Sequence, residues 1–335
     1  MSYRAVDALE EAYEATKGLL LPFDVRRWLV IAVVAFFVSG TTGFNANTNL
    51  GALDAPDGVP LEPILELGPG FGPAEALLIA GIVLVVSLII GYVAAILEFV
   101  FVRMVSRQEI RIRGFFGETR PKGTSLFLFR IALSVVVVAT ILFVAAAVFF
   151  TGLAGLVVVV LLSPVFLLGF LAIALIARLT VDFVVPVMLV DDTGIIEAWR
   201  RFSFELRENA VEYGVYVLVR FVLGVVAGVV VAIGFTAVAI VVSIPFLTAG
   251  ALLLLVESAV GLGEVTFVLL AGIVVLAVLV IVVVATTLVQ VPVQTYLRYY
   301  SLFVLAAVSP RYDLLEGVRT ETVDSGSDAP PDDHR

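Results

Sequence analysis

Residues 178–209 read RLTVDFVVPVMLVDDTGIIEAWRRFSFELREN. The first half is apolar but carries Arg178 and Asp182, four positions apart and so on one face of a helix. Pro186 follows, and Asp191-Asp192-Thr193-Gly194 supplies a turn. Beyond it Ile195, Trp199, Phe202 and Leu206 recur at helical spacing, with Glu197, Arg200, Arg201, Glu205, Arg207 and Glu208 around the rest. Phe204 falls on the polar side. A membrane span that leaves through a charged anchor, turns, and lays down an amphipathic helix before the chain returns produces this order of residues. The stretch therefore sets the fold class: all-α, a polytopic integral membrane protein.

The rest of the chain agrees. Of 335 residues 61% are hydrophobic, against roughly 45–50% in a soluble domain. Residues 131–177 contain no charge. As one helix they would be about 70 Å long, twice a bilayer, so they must fold back, and Thr151-Gly152-Leu153-Ala154-Gly155 is the natural turn. Residues 29–44, 76–97 and 265–289 are further apolar runs, and 211–242 is another that Pro245 should end. The run 246–263 is too short for a span and reads as an extracytoplasmic or re-entrant segment. Pro164 and Pro292 are expected to kink their helices. This makes six transmembrane helices.

Orientation follows from the bases, which cytoplasmic loops retain. Every Lys and Arg lies before the first span, in 103–130, in 178–220, or from Arg298 onward. The opposite loops carry only acids: Asp54, Asp57, Glu62, Glu66, Glu75, Glu257 and Glu264. Both termini are therefore expected in the cytoplasm. Residues 1–27 mix acids and bases and do not read as a cleavable signal; 5–20 reads as a surface helix with Val6, Leu9, Tyr13 and Leu20 on its apolar side.

The segments repeat. Glu11-Ala12-Tyr13 returns as Glu197-Ala198-Trp199, Glu98-Phe99-Val100 as Asp182-Phe183-Val184, and Val185-Pro186-Val187 as Val291-Pro292-Val293. Three pseudo-repeats of interfacial segment plus helical hairpin result, at about 5–107, 108–190 and 191–309. The third has Gln290 and Gln294 where the others have an acid. Residues 1–312 form a single transmembrane domain, and 313–335 a disordered acidic tail.

Much chemistry is excluded. There is no cysteine, and the single histidine, His334, lies in the tail. Thiolate catalysis, Cys-ligated metals and a His-based triad in the body are ruled out, and no phosphate-binding loop, HExxH or GxSxG motif occurs. No cofactor, metal or enzymatic activity is expected; a lipid-modifying enzyme would need Asp/Glu or metal chemistry on the outer acidic loop. The candidate site residues are ionisable groups inside or just within spans: Glu98, Arg130, Arg178, Asp182 and Arg220. Arg178 can pair with Asp182 locally, Arg220 can reach Asp182, and Arg130 can reach Glu98 if consecutive repeat elements pack together. Such residues fix helix register, hold a lipid headgroup, since Arg matches phosphate geometry, or relay a proton or ion as in a transporter or channel. The implied partners are membrane lipids, anionic headgroups among them. A homo-oligomer or another membrane protein could pack at Gly224, Gly228 and Gly234. The basic segment 103–130 suits apposition to anionic lipid better than nucleic acid.

The net charge is −9, and Lys17 and Lys122 are the only lysines. Such a balance suits a high-salt cytoplasm, with an acidic mesophile as the alternative. The run from Pro186 through Asp191, Gly194, Ala198 and Ser203 to Asn209 resembles membrane domains that accompany glycerophosphodiester phosphodiesterases. The soluble phosphodiesterase domain itself is absent, so that activity is not implied. Over most of its length, including LLLPFDVRRWL near the start and VPVQTYLRYYSL near the end, the chain is similar to a haloarchaeal family of uncharacterised multi-pass proteins.

Overall fold

A computed structural model describes residues 4–41, 72–109, 112–261 and 263–318. It is built from helices: α1 (Arg4–Leu20), α2 (Val25–Thr41), α3 (Pro73–Arg107), α4 (Ile112–Thr151), α5 (Leu153–Leu179), a π-helical turn (Thr180–Val184), α6 (Val185–Asp191), α7 (Ile195–Glu208), α8 (Ala210–Val260) and α9 (Glu264–Val308). A 3₁₀ turn, Pro310–Tyr312, follows α9. Five helical stretches are long and apolar enough to cross a membrane: Ala74–Arg107, Gly114–Thr151, Leu153–Val190, Ala210–Val260 and Thr266–Val308. The acidic loop predicted over 45–74 lies largely outside the described residues.

The hairpin turn falls where the uncharged run required it. Only Gly152, at φ 60°, separates α4 from α5, and glycine takes that left-handed conformation without a Cβ clash. Two other expectations fail. Pro245 does not end a span. α8 continues through it for 51 residues, about 75 Å of helix, and stops at Gly261, whose N–H bonds the Glu257 carbonyl at 2.9 Å. A proline removes one donor, and the helix keeps the bonds on both sides, so 246–260 is helix and not a separate re-entrant segment. The basic segment 103–130 is likewise mostly helix, because α4 starts at Ile112.

Packing is concentrated at one end of the long helices. Residues 94–102 of α3 and 299–305 of α9 are buried almost without interruption, whereas the most apolar windows of four of the five long stretches contain no buried residue. At the packed end α3 and α4 approach closely: a Cβ on Gly123 would lie 2.9 Å from the Ile96 Cα. α1 docks on α9 through a face that overlaps the predicted one in part, since Leu20 is buried and Leu9 packs against the core. Its buried residues include Ala5, Ala8, Ala12, Ala15 and Leu19, while Val6 and Tyr13 are exposed. Small alanines let two helices approach closely, which large side chains would prevent. Arg4 closes this contact by donating to the Ala307 carbonyl at 3.0 Å.

The carboxyl-terminal segment is latched to the turn between α6 and α7. Asp191 pairs with Arg311 at 3.0 Å and Arg201 at 2.6 Å, and accepts from the Tyr312 hydroxyl at 3.2 Å. Burial pushes its carboxyl up, but the Arg201 and Arg311 guanidiniums more than offset this and hold it below the usual carboxylate range. Ser309 donates to Glu205 at 2.6 Å. Leu315 and Val318 are buried, so packing extends past residue 313, where the tail was predicted to begin; residues 319–335 lie outside those described.

Candidate functional site

Asp182 sits in the π turn. Pro186, four residues on, has no N–H for the Asp182 carbonyl, and the widened turn bonds Val185 N–H to the Thr180 carbonyl instead. The irregularity turns Asp182 and Phe183 into the protein, where both are buried. Phe183 stacks on Phe202 of α7 at 5.4 Å and meets Tyr213 and Tyr216 of α8 edge-on. Trp199 of α7 donates to the Thr180 hydroxyl at 3.1 Å. The amphipathic face read from 195–206 is thus turned largely toward protein, and Phe204 points away, exposed.

The Asp182 carboxylate gathers three partners on one oxygen. Arg178 donates from Nε at 2.8 Å, the Tyr216 hydroxyl donates at 2.7 Å, and Arg220 of α8 lies 3.8 Å away as an ion pair without a hydrogen bond. Glu98, fully buried on α3, gathers two. Arg130 of α4 reaches one oxygen at 3.1 Å, and Arg298 of α9 donates to the other. Arg298 also donates to the Val181 carbonyl at 2.9 Å and lies over the Phe101 ring. That single side chain joins the Glu98 group to the Asp182 group. Two Arg–carboxylate–Arg triads therefore meet at the packed end, drawn from α3, α4, α5 with its π turn, α8 and α9.

All five candidate residues lie in this cluster. Arg178 and Asp182 pair along one helical stretch, and Arg130 and Arg220 each cross to the acid on the preceding long apolar stretch. The sequence reading missed Arg298, which it used only as one of the bases that set orientation, and Tyr216. A signal for Arg298 was available. It is the sole base in 264–309, on an apolar helix whose one acid, Glu264, is at the far end, so its charge had to find a partner on another helix.

A cleft of about 310 Å³ opens between α4 and α5 beside the cluster. Arg130, Ser134, Arg178 and Thr180 supply its polar lining, and apolar side chains of both helices the rest.

Residues 3–315 match the model of a family described as a family of unknown function (DUF7544), and the chain belongs to that family. No curated protein and no solved structure matches the chain.

Proposed function

We propose that this family member is a six-pass module of the cell membrane, with both ends in the cytoplasm, that acts without catalysis by engaging the cytoplasmic leaflet. The observation that carries the proposal is the division of the fold. Five apolar helical stretches are left almost entirely unburied along their spanning lengths, while the packed core, the charge cluster and the exposed Arg107, Arg120, Arg200 and Arg207 sit together at one end. Hydrocarbon suits the first part. Anionic headgroups suit the second, because basic residues near the surface are each worth about 1 kcal/mol of attraction. α2, at 17 residues, supplies the sixth span and returns the amino terminus to the side of the bases, in accord with the positive-inside rule. On this reading α1 and α7 lie at the headgroup level, and the three pseudo-repeats supply the three hairpins. The acid-rich, lysine-poor surface fits a high-salt cytoplasm, consistent with the resemblance to a haloarchaeal family.

Two measurements test this. The chain has no cysteine, so Ser203→Cys and Ser258→Cys report on opposite sides. An impermeant maleimide applied to intact cells should label the second and reach the first only after permeabilisation; labelling of Ser203→Cys from outside overturns the topology. Separately, the purified protein should melt higher in bilayers containing phosphatidylglycerol than in phosphatidylcholine alone, and the gain should shrink with salt. Equal stability in both bilayers removes the basis for leaflet engagement.

A further inference from the structure

We propose that the cleft between α4 and α5 binds one anionic phospholipid, with its phosphate between the Arg130 and Arg178 guanidiniums and its acyl chains along the apolar walls. The inference rests on the membrane reading above and narrows it to one site and one class of ligand.

Charge is the first ground. Among the described residues Arg298 pairs with Glu98, whereas Arg178 and Arg220 share one carboxylate, Asp182. Arginine stays protonated in proteins, so the Asp182 group carries an excess of one positive charge in apolar surroundings. Such an excess calls for an anion.

Position is the second ground. The side chains of Arg298 and Arg220 are enclosed, 4% and 10% exposed, whereas those of Arg130 and Arg178 are 18% and 28% exposed. The two more open arginines are the two that line the cleft. Arg178 gives its Nε to Asp182, and neither of its Nη groups has a hydrogen-bond partner among the described residues. A guanidinium held in this way presents two coplanar donors, the geometry that matches phosphate oxygens.

The walls are the third ground, and they select the source of the phosphate. Leu133, Val137 and Val138 of α4 face Ile173, Ala174 and Ala177 of α5 across the cleft. These residues lie in the uncharged hairpin that begins just past Arg130 and ends just before Arg178. A free phosphate would leave the apolar part of the cleft unfilled. A phospholipid satisfies both ends at once, with its headgroup at the arginines and its chains running down the hairpin toward Gly152.

Trp199 provides the readout, because its indole donates to Thr180, which lines the cleft. The other tryptophan is Trp28, so Trp28→Phe leaves Trp199 as sole reporter. In vesicles holding that protein, acyl-brominated phosphatidylglycerol should quench Trp199 at a several-fold lower mole fraction than acyl-brominated phosphatidylcholine. Arg178→Gln should reduce this preference about fivefold, the loss expected for one arginine–anionic-lipid contact. Ala174→Phe, which fills the cleft and keeps every charge, should abolish it. The proposal is overturned by equal quenching from the two lipids, by no quenching from either, by a preference that survives both cleft variants, or by quenching that inorganic phosphate displaces. If the lipids quench equally while phosphatidylglycerol still raises the melting temperature, the leaflet reading stands and this site alone falls.

Discussion

Glu98 and Arg298 offer the sharpest test of whether the charge cluster holds the bundle together. Glu98 is fully buried and is shared by two guanidiniums, with Arg130 at 3.1 Å. At an effective dielectric of about 20, two unit charges at the Arg130–Glu98 separation attract by roughly 5 kcal/mol. Desolvation of both ions offsets most of that gain, which is why an intact buried pair adds little. Removing one partner strands the other, however, and typically costs about 3–5 kcal/mol. Glu98→Gln should therefore destabilise the protein by about 4 kcal/mol, since it leaves two arginines without their shared carboxylate. Arg298→Met, which keeps the volume and the contact with Phe101, should cost about 3 kcal/mol through loss of the ion pair and the bond to Val181. The double variant should cost far less than the sum, with a coupling on the order of 2–3 kcal/mol, because neutralising one partner removes the reason the other is needed. Reversible unfolding by sodium dodecyl sulfate in mixed micelles, followed by tryptophan fluorescence, measures all three. A coupling below about 0.5 kcal/mol would mean that the two residues act independently, and the triad would be refuted.

Three further outcomes follow from named contacts. Gly123→Ala should lower stability by about 1–3 kcal/mol in the same unfolding assay, because its methyl meets the Ile96 Cα at 2.9 Å as well as the Ile96 side chain, and the backbone cannot swing aside. Tyr216→Phe should cost about 1.5–3 kcal/mol, the range for a hydrogen bond to a charged group, and a neutral result would show that Asp182 does not need that hydroxyl. The latch at Asp191 should open in acid. Its carboxyl is held below the ordinary value of 3.8, so the stabilisation is complete above that pH and is lost as pH falls through the lower folded value. Hydrogen exchange in 309–318 should accelerate only below about pH 4, and acceleration already at pH 5–6 would exclude Asp191 as the titrating group.

The helical class and the hairpin at Gly152 were legible because they rest on one-dimensional constraints: an uncharged run has a length, and a bilayer has a thickness. The pairings of Arg130 and Arg220 were legible for a related reason, since a charge in an apolar helix must find its opposite and chain order brings consecutive helices together. Arg298 escaped because its partner lies 200 residues away on α3, which adjacency in sequence does not indicate. The face of α1 was legible at Leu9 and Leu20, which pack on the core, and misread at Val6 and Tyr13, because hydrophobicity scales reward those two while close helix packing rewards Ala8 and Ala12. Pro245 was overread: proline weakens a helix by one bond, and a helix of 51 residues absorbs that loss.

Where the protein chose to pack also bears on what the cluster is for. In hydrocarbon, burying apolar side chains between helices gains little, because the lipid tails they displace are equally apolar. The largely unburied hairpins beyond residues 131 and 221 thus do little to set the arrangement of the bundle by hydrophobic burial. The aromatic core and the buried carboxylates lie at the end that the bases mark as wet, where burial does gain, and where Glu98 and Asp182 collect donors from separate helices. Sliding α3 by one residue would rotate Glu98 by about 100° away from both arginines, so the cluster sets register as well as carrying charge. Structural and ligand-binding roles are then not alternatives. Among the described residues two guanidiniums, Arg178 and Arg220, share the one Asp182 carboxylate, and an anion that completes this group binds the assembled bundle and not the separated helices. Such a ligand stabilises the fold by mass action, and the anionic lipid proposed for the α4–α5 cleft would act as a component of the folded state.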